Sequence, residues 1–225
     1  MSAPTDPVAD GPDLPSTVAG LTTSALVVKR SRFLTRLAHV TTVEAAEAVV
    51  AAARRDHWDA RHHCVALVVG PRSELARSSD DGEPAGTAGA PMSEVLRRRG
   101  LTDVVAVVTR YFGGVLLGTG GLARAYAGAV EGAVELAPTV ARREVDRVLV
   151  RVPHDTAGRA EHFLRDWSPA HDAVVVGVTY ASEVVLEVLV PPARRLRLAS
   201  DLAAFSAGSL VLDVVGREIA DLHPA

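Results

Sequence analysis

Five glycines fall within nine residues, Gly113, Gly114, Gly118, Gly120 and Gly121, and two arginines, Arg110 and Arg124, flank them. Glycine lets backbone N–H groups approach a ligand closely, and a helix N-terminus is electropositive. An arginine on each side can grip a phosphate through two parallel hydrogen bonds. The segment, with Tyr111 at its head, therefore has the makeup of a phosphate or polyanion cradle. It lacks the Gly-Lys-Ser/Thr of a P-loop and the spacing of a dinucleotide fingerprint. The competing account is a tight turn between elements packed so closely that only glycine fits.

A second loop, residues 79–89, holds Asp80, Asp81 and Glu83 among turn formers. Such acids can offer oxygen ligands to a divalent cation, but their spacing matches no calcium loop. Hydrogen-bonded turns, and a helix N-terminus that welcomes negative charge, account for them more simply. Thr87 and the N–H groups after it can also add to an anion site beside Arg110. Neither a metal nor a cofactor is expected. In His62-His63-Cys64, strand geometry puts His62 and Cys64 on one face, and a mid-strand cysteine among Val and Leu reads as core. His57, Trp58 and Arg61 sit in a polar connection, either a rim that touches a nucleobase or partner, or the edge of the core.

The elements that must hold these residues follow from periodicity. Residues 1–20 carry four prolines and three aspartates without a base, and read as a disordered acidic tail. Strands are expected over 25–30 and 33–40, bringing Lys29, Arg30, Arg32 and Arg36 together. Thr42 reads as the N-cap of a helix over 43–56 that ends in Arg54 and Arg55. A strand over 62–69, a helix over 91–99 and a strand over 104–109 follow; the last is a continuous β-branched run, as in strands covered on both faces. The glycine loop then opens a helix over 122–136, stopped by Pro138. Beyond it the order is strand 145–152, helix 154–166, strands 173–180 and 183–190, helix 193–205 and strand 210–216, the split βαβ or ferredoxin-like pattern. The expected fold is therefore α+β with two domains, 21–140 and 141–225, after the tail.

Composition bounds the function. The chain has 225 residues, 48% hydrophobic and 23% charged, enough for a large domain or two small ones. Lys plus Arg number 24 and Asp plus Glu 27, a net charge of −3, so a strongly basic nucleic-acid binder is not indicated, whereas a local basic face is compatible. All the bases but Lys29 are arginine, but with 37 Ala and 35 Val coding bias explains that as well as phosphate binding does. One cysteine excludes an internal disulfide and a cysteine-based zinc cluster. No apolar run reaches the 18 or so residues of a membrane span, and no secretory signal opens the chain, so a cytoplasmic protein is expected.

Two long motifs carry a resemblance. Arg77-Ser78-Ser79-Asp80-Asp81-Gly82-Glu83-Pro84-Ala85-Gly86-Thr87-Ala88-Gly89-Ala90-Pro91 is one, and the run from Val107 through Arg110-Tyr111-Phe112-Gly113-Gly114 and Gly118-Thr119-Gly120-Gly121 to Tyr126 is the other. With Lys29-Arg30-Ser31-Arg32-Phe33 and Ala60-Arg61-His62-His63-Cys64, they resemble the YigZ/Impact family over residues 20–137. The resemblance implies an N-terminal domain with the ribosomal-protein-type left-handed βαβ fold, as in domain four of elongation factor G. It implies a ferredoxin-like second domain resembling domains three and five of that factor. Eukaryotic relatives act in translational control through a protein partner, and nucleic-acid or ribosome binding is the proposal for bacterial ones. A proline-dipeptidase activity, attributed to some relatives, would need a dinuclear Asp, His and Glu site that this sequence does not offer.

The leading expectation is a non-enzymatic RNA- or ribosome-associated protein in the regulation of translation. Its phosphate-binding residues would be Arg110, Tyr111, Gly113, Gly114, Gly118, Gly120, Gly121, Arg124, Arg32 and Arg61, with Asp80, Asp81, Glu83 and Thr87 forming the acidic loop. The alternatives are an enzyme or sensor of a small phosphorylated ligand at the same loop, and a protein-interaction adaptor.

Overall fold

The structure, a computed structural model, describes residues 14–222. Its described residues divide into two compact units, Leu14–Arg142 with 221 and 222, and Arg143–Ala220. The first unit contains β1 (Thr17–Val18), β2 (Leu21–Val28), β3 (Ser31–His39), α1 (Val43–Asp56), β4 (His62–Val69), β5 (Leu75–Ser79), α2 (Gly89–Arg98), β6 (Val104–Tyr111) and α3 (Thr119–Leu136). Its sheet has the order β2-β3-β6-β4-β5, with every neighbouring pair antiparallel.

β6 explains the layering. Val104, Ala106 and Val108 belong to a core shared with Met92, Val95 and Leu96 of α2 and Ala125, Tyr126 and Ala129 of α3. Val105 and Val107 belong to a second core shared with Ala46 and Ala53 of α1. The β-branched run is thus covered on both faces, as the sequence pattern predicts. α1 also forms over the residues expected, with the Thr42 hydroxyl accepting the N–H of Ala45 at 3.1 Å. Two independent signals, cap and periodicity, agree there.

Several expectations need correction. Residues 1–13 of the expected tail lie outside the described residues, but the tail does not extend to residue 20. Thr17 and Val18 are buried and pair with Val140 and Thr139. Strand β2 ends at Val28, because Lys29 and Arg30 form a two-residue hairpin turn with φ of +43° and +69°. Both turn residues of a tight hairpin need positive φ, which sequence patterns look for in Asn-Gly rather than Lys-Arg. The 79–89 loop is preceded by β5, whose residues are mostly exposed and so show no alternation. α3 begins at Thr119, so Gly120 and Gly121 lie in its first turn rather than in a loop.

The second unit follows the expected order of elements: β7 (Thr139–Val152, which begins in the first unit), α4 (Ala157–Trp167), β8 (Val174–Tyr180), β9 (Val184–Val190), α5 (Arg195–Phe205) and β10 (Leu212–Leu222). Its strands lie in the order β10-β7-β9-β8. Val148, Val150, Leu186 and Val188 pack under Ala160 and Leu164 of α4 and Leu198 and Leu202 of α5. No helix among the described residues is long and apolar enough to cross a membrane.

Candidate nucleic-acid interface

The glycine loop joins the end of β6 to the start of α3, and its glycines serve different ends. Gly113 donates its N–H to the Ser31 hydroxyl at 3.2 Å, and a Cβ there would lie 2.0 Å from the Arg30 carbonyl carbon. At Gly113 the close-packing account therefore holds. Gly118 caps α3 at φ +69°, and its carbonyl accepts the Leu122 N–H. The helix has no side-chain cap and no acid in its first turn. The N–H groups of Thr119, Gly120 and Gly121 therefore lack intrahelical acceptors. Arg124 is exposed on the same end of the helix, its Nη1 3.7 Å from where a Gly120 Cβ would stand. Gly114 is exposed in the connecting loop.

Arg110 is not the outer half of a phosphate clamp. Its side chain is 8% exposed, and Nη1 donates to Glu83 Oε1 at 2.6 Å. The Tyr126 hydroxyl donates to the same oxygen at 2.7 Å, and the guanidinium lies over the rings of Phe33 and Phe112. The expectation that Arg110 and Arg124 grip one anion is corrected on this ground: one guanidinium is buried against its own carboxylate. The Nε of Arg110 is buried without an acceptor. Burial pushes the Tyr126 hydroxyl well above its ordinary pKa, and the Cys64 thiol up to about 12. Cys64 is an inert core thiol, donating to the Asp80 carbonyl oxygen.

The acidic loop is consumed by its own backbone. Asp80 accepts the N–H groups of Gly86, Ala88 and Gly89 at 2.8–2.9 Å, filling the N-terminus of α2. Desolvation alone would raise its pKa, but the three N–H bonds outweigh it and hold the carboxyl below its ordinary value. Asp81 pairs with Arg54 at 2.7 Å and accepts the His63 N–H. Thr87 is buried, its hydroxyl donating to the Pro84 carbonyl at 2.6 Å. It is therefore spent inside the loop rather than offered to an anion beside Arg110. Among the described residues no three His, Cys, Asp or Glu side chains are grouped to hold a metal.

A cleft of about 640 Å³ opens where these parts meet, with Arg61, His62, Glu83, Arg110, Tyr111 and Phe112 on its walls and Gly118 and Thr119 at its edge. Tyr111 donates its hydroxyl to Asp59 at 2.8 Å and stands 3.1 Å from His57 Nδ1, while Arg32 lies over its ring. Desolvation first, and then the bond to Asp59, raise the Tyr111 pKa. Strand register sets this assembly: Arg32 lies opposite Tyr111, and both Phe33 and His62 lie opposite Arg110. Around the same end, Lys29, Arg30, Arg32, Arg61 and Arg124 are all exposed. Among the described residues, none of these five bases forms an ion pair. Sequence reading missed Ser31 and Tyr126, which hold the loop and Glu83. Both lie within the motifs that carry the resemblance, and on buried stripes, Ser31 alternating with Phe33 and Tyr126 one turn after Leu122, but neither signal gave them a role.

Comparison with known proteins agrees with this organisation. A family model described as the Impact N-terminal domain matches residues 29–134, and a domain of unknown function, DUF1949, matches residues 150–209. The IMPACT family member YigZ of Escherichia coli (strain K12) is 42% identical over 187 residues, covering 82% of this chain and 90% of YigZ. The IMPACT family member YvyE of Bacillus subtilis (strain 168) is 43% identical over 147 residues, 63% of this chain and 65% of YvyE. A crystal structure of a hypothetical protein, 39% identical, superposes with a TM-score of 0.62 and covers 91% of this chain and 98% of that one. On this identity over nearly the full length of a relative, the chain belongs to the IMPACT family.

Proposed function

We propose that this protein binds RNA through the basic end of its first unit, without catalysing a reaction, in the regulation of translation. The observation that carries the proposal is a contrast between two helix N-termini. That of α2 is filled by the Asp80 carboxylate. That of α3 has no side-chain cap and no acid in its first turn, and Arg124 stands beside it. An open helix N-terminus with an unpaired arginine attracts phosphate. Lys29 and Arg30 add to this: they hold left-handed backbone conformations that bulky residues seldom adopt, and the fold tolerates that strain to set two exposed bases at the hairpin tip. The translational setting rests on membership of the IMPACT family, for which the sequence resemblance implies a role in translational control.

Co-sedimentation of the full chain with ribosomes and with structured RNA, between about 50 and 200 mM salt, tests the proposal. Binding should weaken steeply with salt, and the double variant Arg61→Ala, Arg124→Ala should flatten that dependence by about 0.7–0.9 per lost phosphate contact. Binding absent at low salt, or unchanged in the double variant, contradicts it. The cleft volume of about 640 Å³ favours one second reading, a small phosphorylated ligand, since it lies within the range of small-molecule sites. A ligand at about a hundred times its dissociation constant would stabilise the fold by about 2.7 kcal/mol, which a thermal-shift screen of nucleotides and sugar phosphates detects.

A further inference from the structure

Resting on the RNA reading, we infer that the ligand is single-stranded, with an unstacked base seated in the cleft and its phosphates held on the surrounding rim. Charge separates the two places. On the cleft walls Arg110 is paired with Glu83, and the two carboxylates there, Asp59 and Glu83, equal the two guanidiniums, Arg61 and Arg110, in number. The walls are thus close to neutral and unsuited to a phosphate. The bases without an ion pair lie around them, on Lys29, Arg30, Arg32 and Arg124, with the exposed Arg61 where wall and rim meet. A duplex presents phosphates outward and its bases stacked, and would meet only that rim.

The wall chemistry suits a base. Phe112 is 57% exposed at the cleft, with its ring 5.7 Å from the Arg110 guanidinium carbon, and Leu116 beside it is 84% exposed. A large aromatic and a leucine held in solvent on a short loop are a poor use of apolar surface unless something covers them. An aromatic ring with a cation beneath it is a stacking platform, and every base has a π-face to lay on it. His62 supplies a polar atom for a base edge. Its Nδ1 contacts the Asp81 carbonyl oxygen at 2.9 Å and so must carry the proton, which leaves Nε2 as the acceptor of the neutral ring. A cleft of this kind reads an unpaired nucleotide, as single-strand binders do with a basic track and interleaved aromatics.

Fluorescence polarisation of the full chain with an unstructured single-stranded RNA, and with a blunt duplex of the same length, tests the inference. The single strand should bind at least about tenfold tighter. Phe112→Ala should weaken it by about tenfold or more while leaving duplex binding unchanged, and Phe112→Trp should restore it. Phe112 is exposed, so these variants fold. A duplex that binds as tightly as the single strand, with the same loss in Arg61→Ala, overturns the single-strand inference and leaves the RNA reading standing. Single-strand binding unchanged in Phe112→Ala also overturns it. No salt-sensitive binding of either RNA overturns both.

Discussion

Arg110 carries a full charge into the first unit and meets Glu83 there, with Tyr126 donating to the same carboxylate oxygen. Removing one partner of a buried pair strands the other, at a cost of about 3–5 kcal/mol. Arg110→Ala should therefore lower stability by that amount in urea denaturation, and the double variant Arg110→Met, Glu83→Gln should recover much of the loss. A loss below about 1 kcal/mol for the single variant would show that the pair is not the brace described here. Asp80 makes a second prediction. Its folded pKa lies below the ordinary value of 3.8, so its contribution is present above that pH and is lost as pH falls through the folded value. Asp80→Asn removes the charge at the helix N-terminus and should cost about 0.3–1 kcal/mol at neutral pH, with a smaller loss between pH 4 and pH 2 than the parent chain. Equal acid sensitivity would contradict the capping role. The Arg110–Glu83 pair was not legible in the sequence, because a contact across 27 positions leaves no periodic trace.

At the scale of elements, the glycine loop divides by position. Gly113 packs against the Arg30 backbone, where a methyl group would overlap main-chain atoms that cannot move aside. Gly113→Ala should part the hairpin from the loop and lower both stability and RNA affinity. Gly120 lies in a helical turn where a Cβ meets nothing nearer than the Arg124 guanidinium at 3.7 Å. Gly120→Ala should stabilise α3 by about 0.5–1 kcal/mol and leave affinity intact, since the backbone N–H remains. Paired thermal melts and RNA titrations check both, and equal effects at the two positions would contradict this division of roles. The same loop shows why elements differ in legibility. α1 and β6 were readable because cap, periodicity and composition point the same way. The first turn of α3 was not, because Gly120 and Gly121 read as loop until packing makes them helix. β5 was not, because an exposed edge strand has no apolar alternation to display.

For the whole molecule, a net charge of −3 does not indicate a strongly basic nucleic-acid binder, and yet five exposed bases without ion pairs gather at the glycine-loop end of the first unit. Composition averages over the chain, whereas phosphate binding depends on the local field. The acids that balance the total are largely spent in ion pairs, such as Asp56 with Arg36, Asp81 with Arg54 and Asp146 with Arg195 and Arg217. Which bases remain unpaired depends on strand register, and so it emerges only in three dimensions. The βαββαβ order of the second unit was legible, because each element there is short, apolar on one side and bounded by turn residues. The central claim is a location, the cleft and rim at the glycine-loop end of the first unit. Its most direct test is an NMR titration of the full chain with a short RNA, following backbone amides at about 50 mM salt. The account predicts shifts at Arg30, Arg61, Phe112 and Thr119 to Gly121, reversed as salt is raised. Shifts confined to residues 143–220, or none at all, would contradict it.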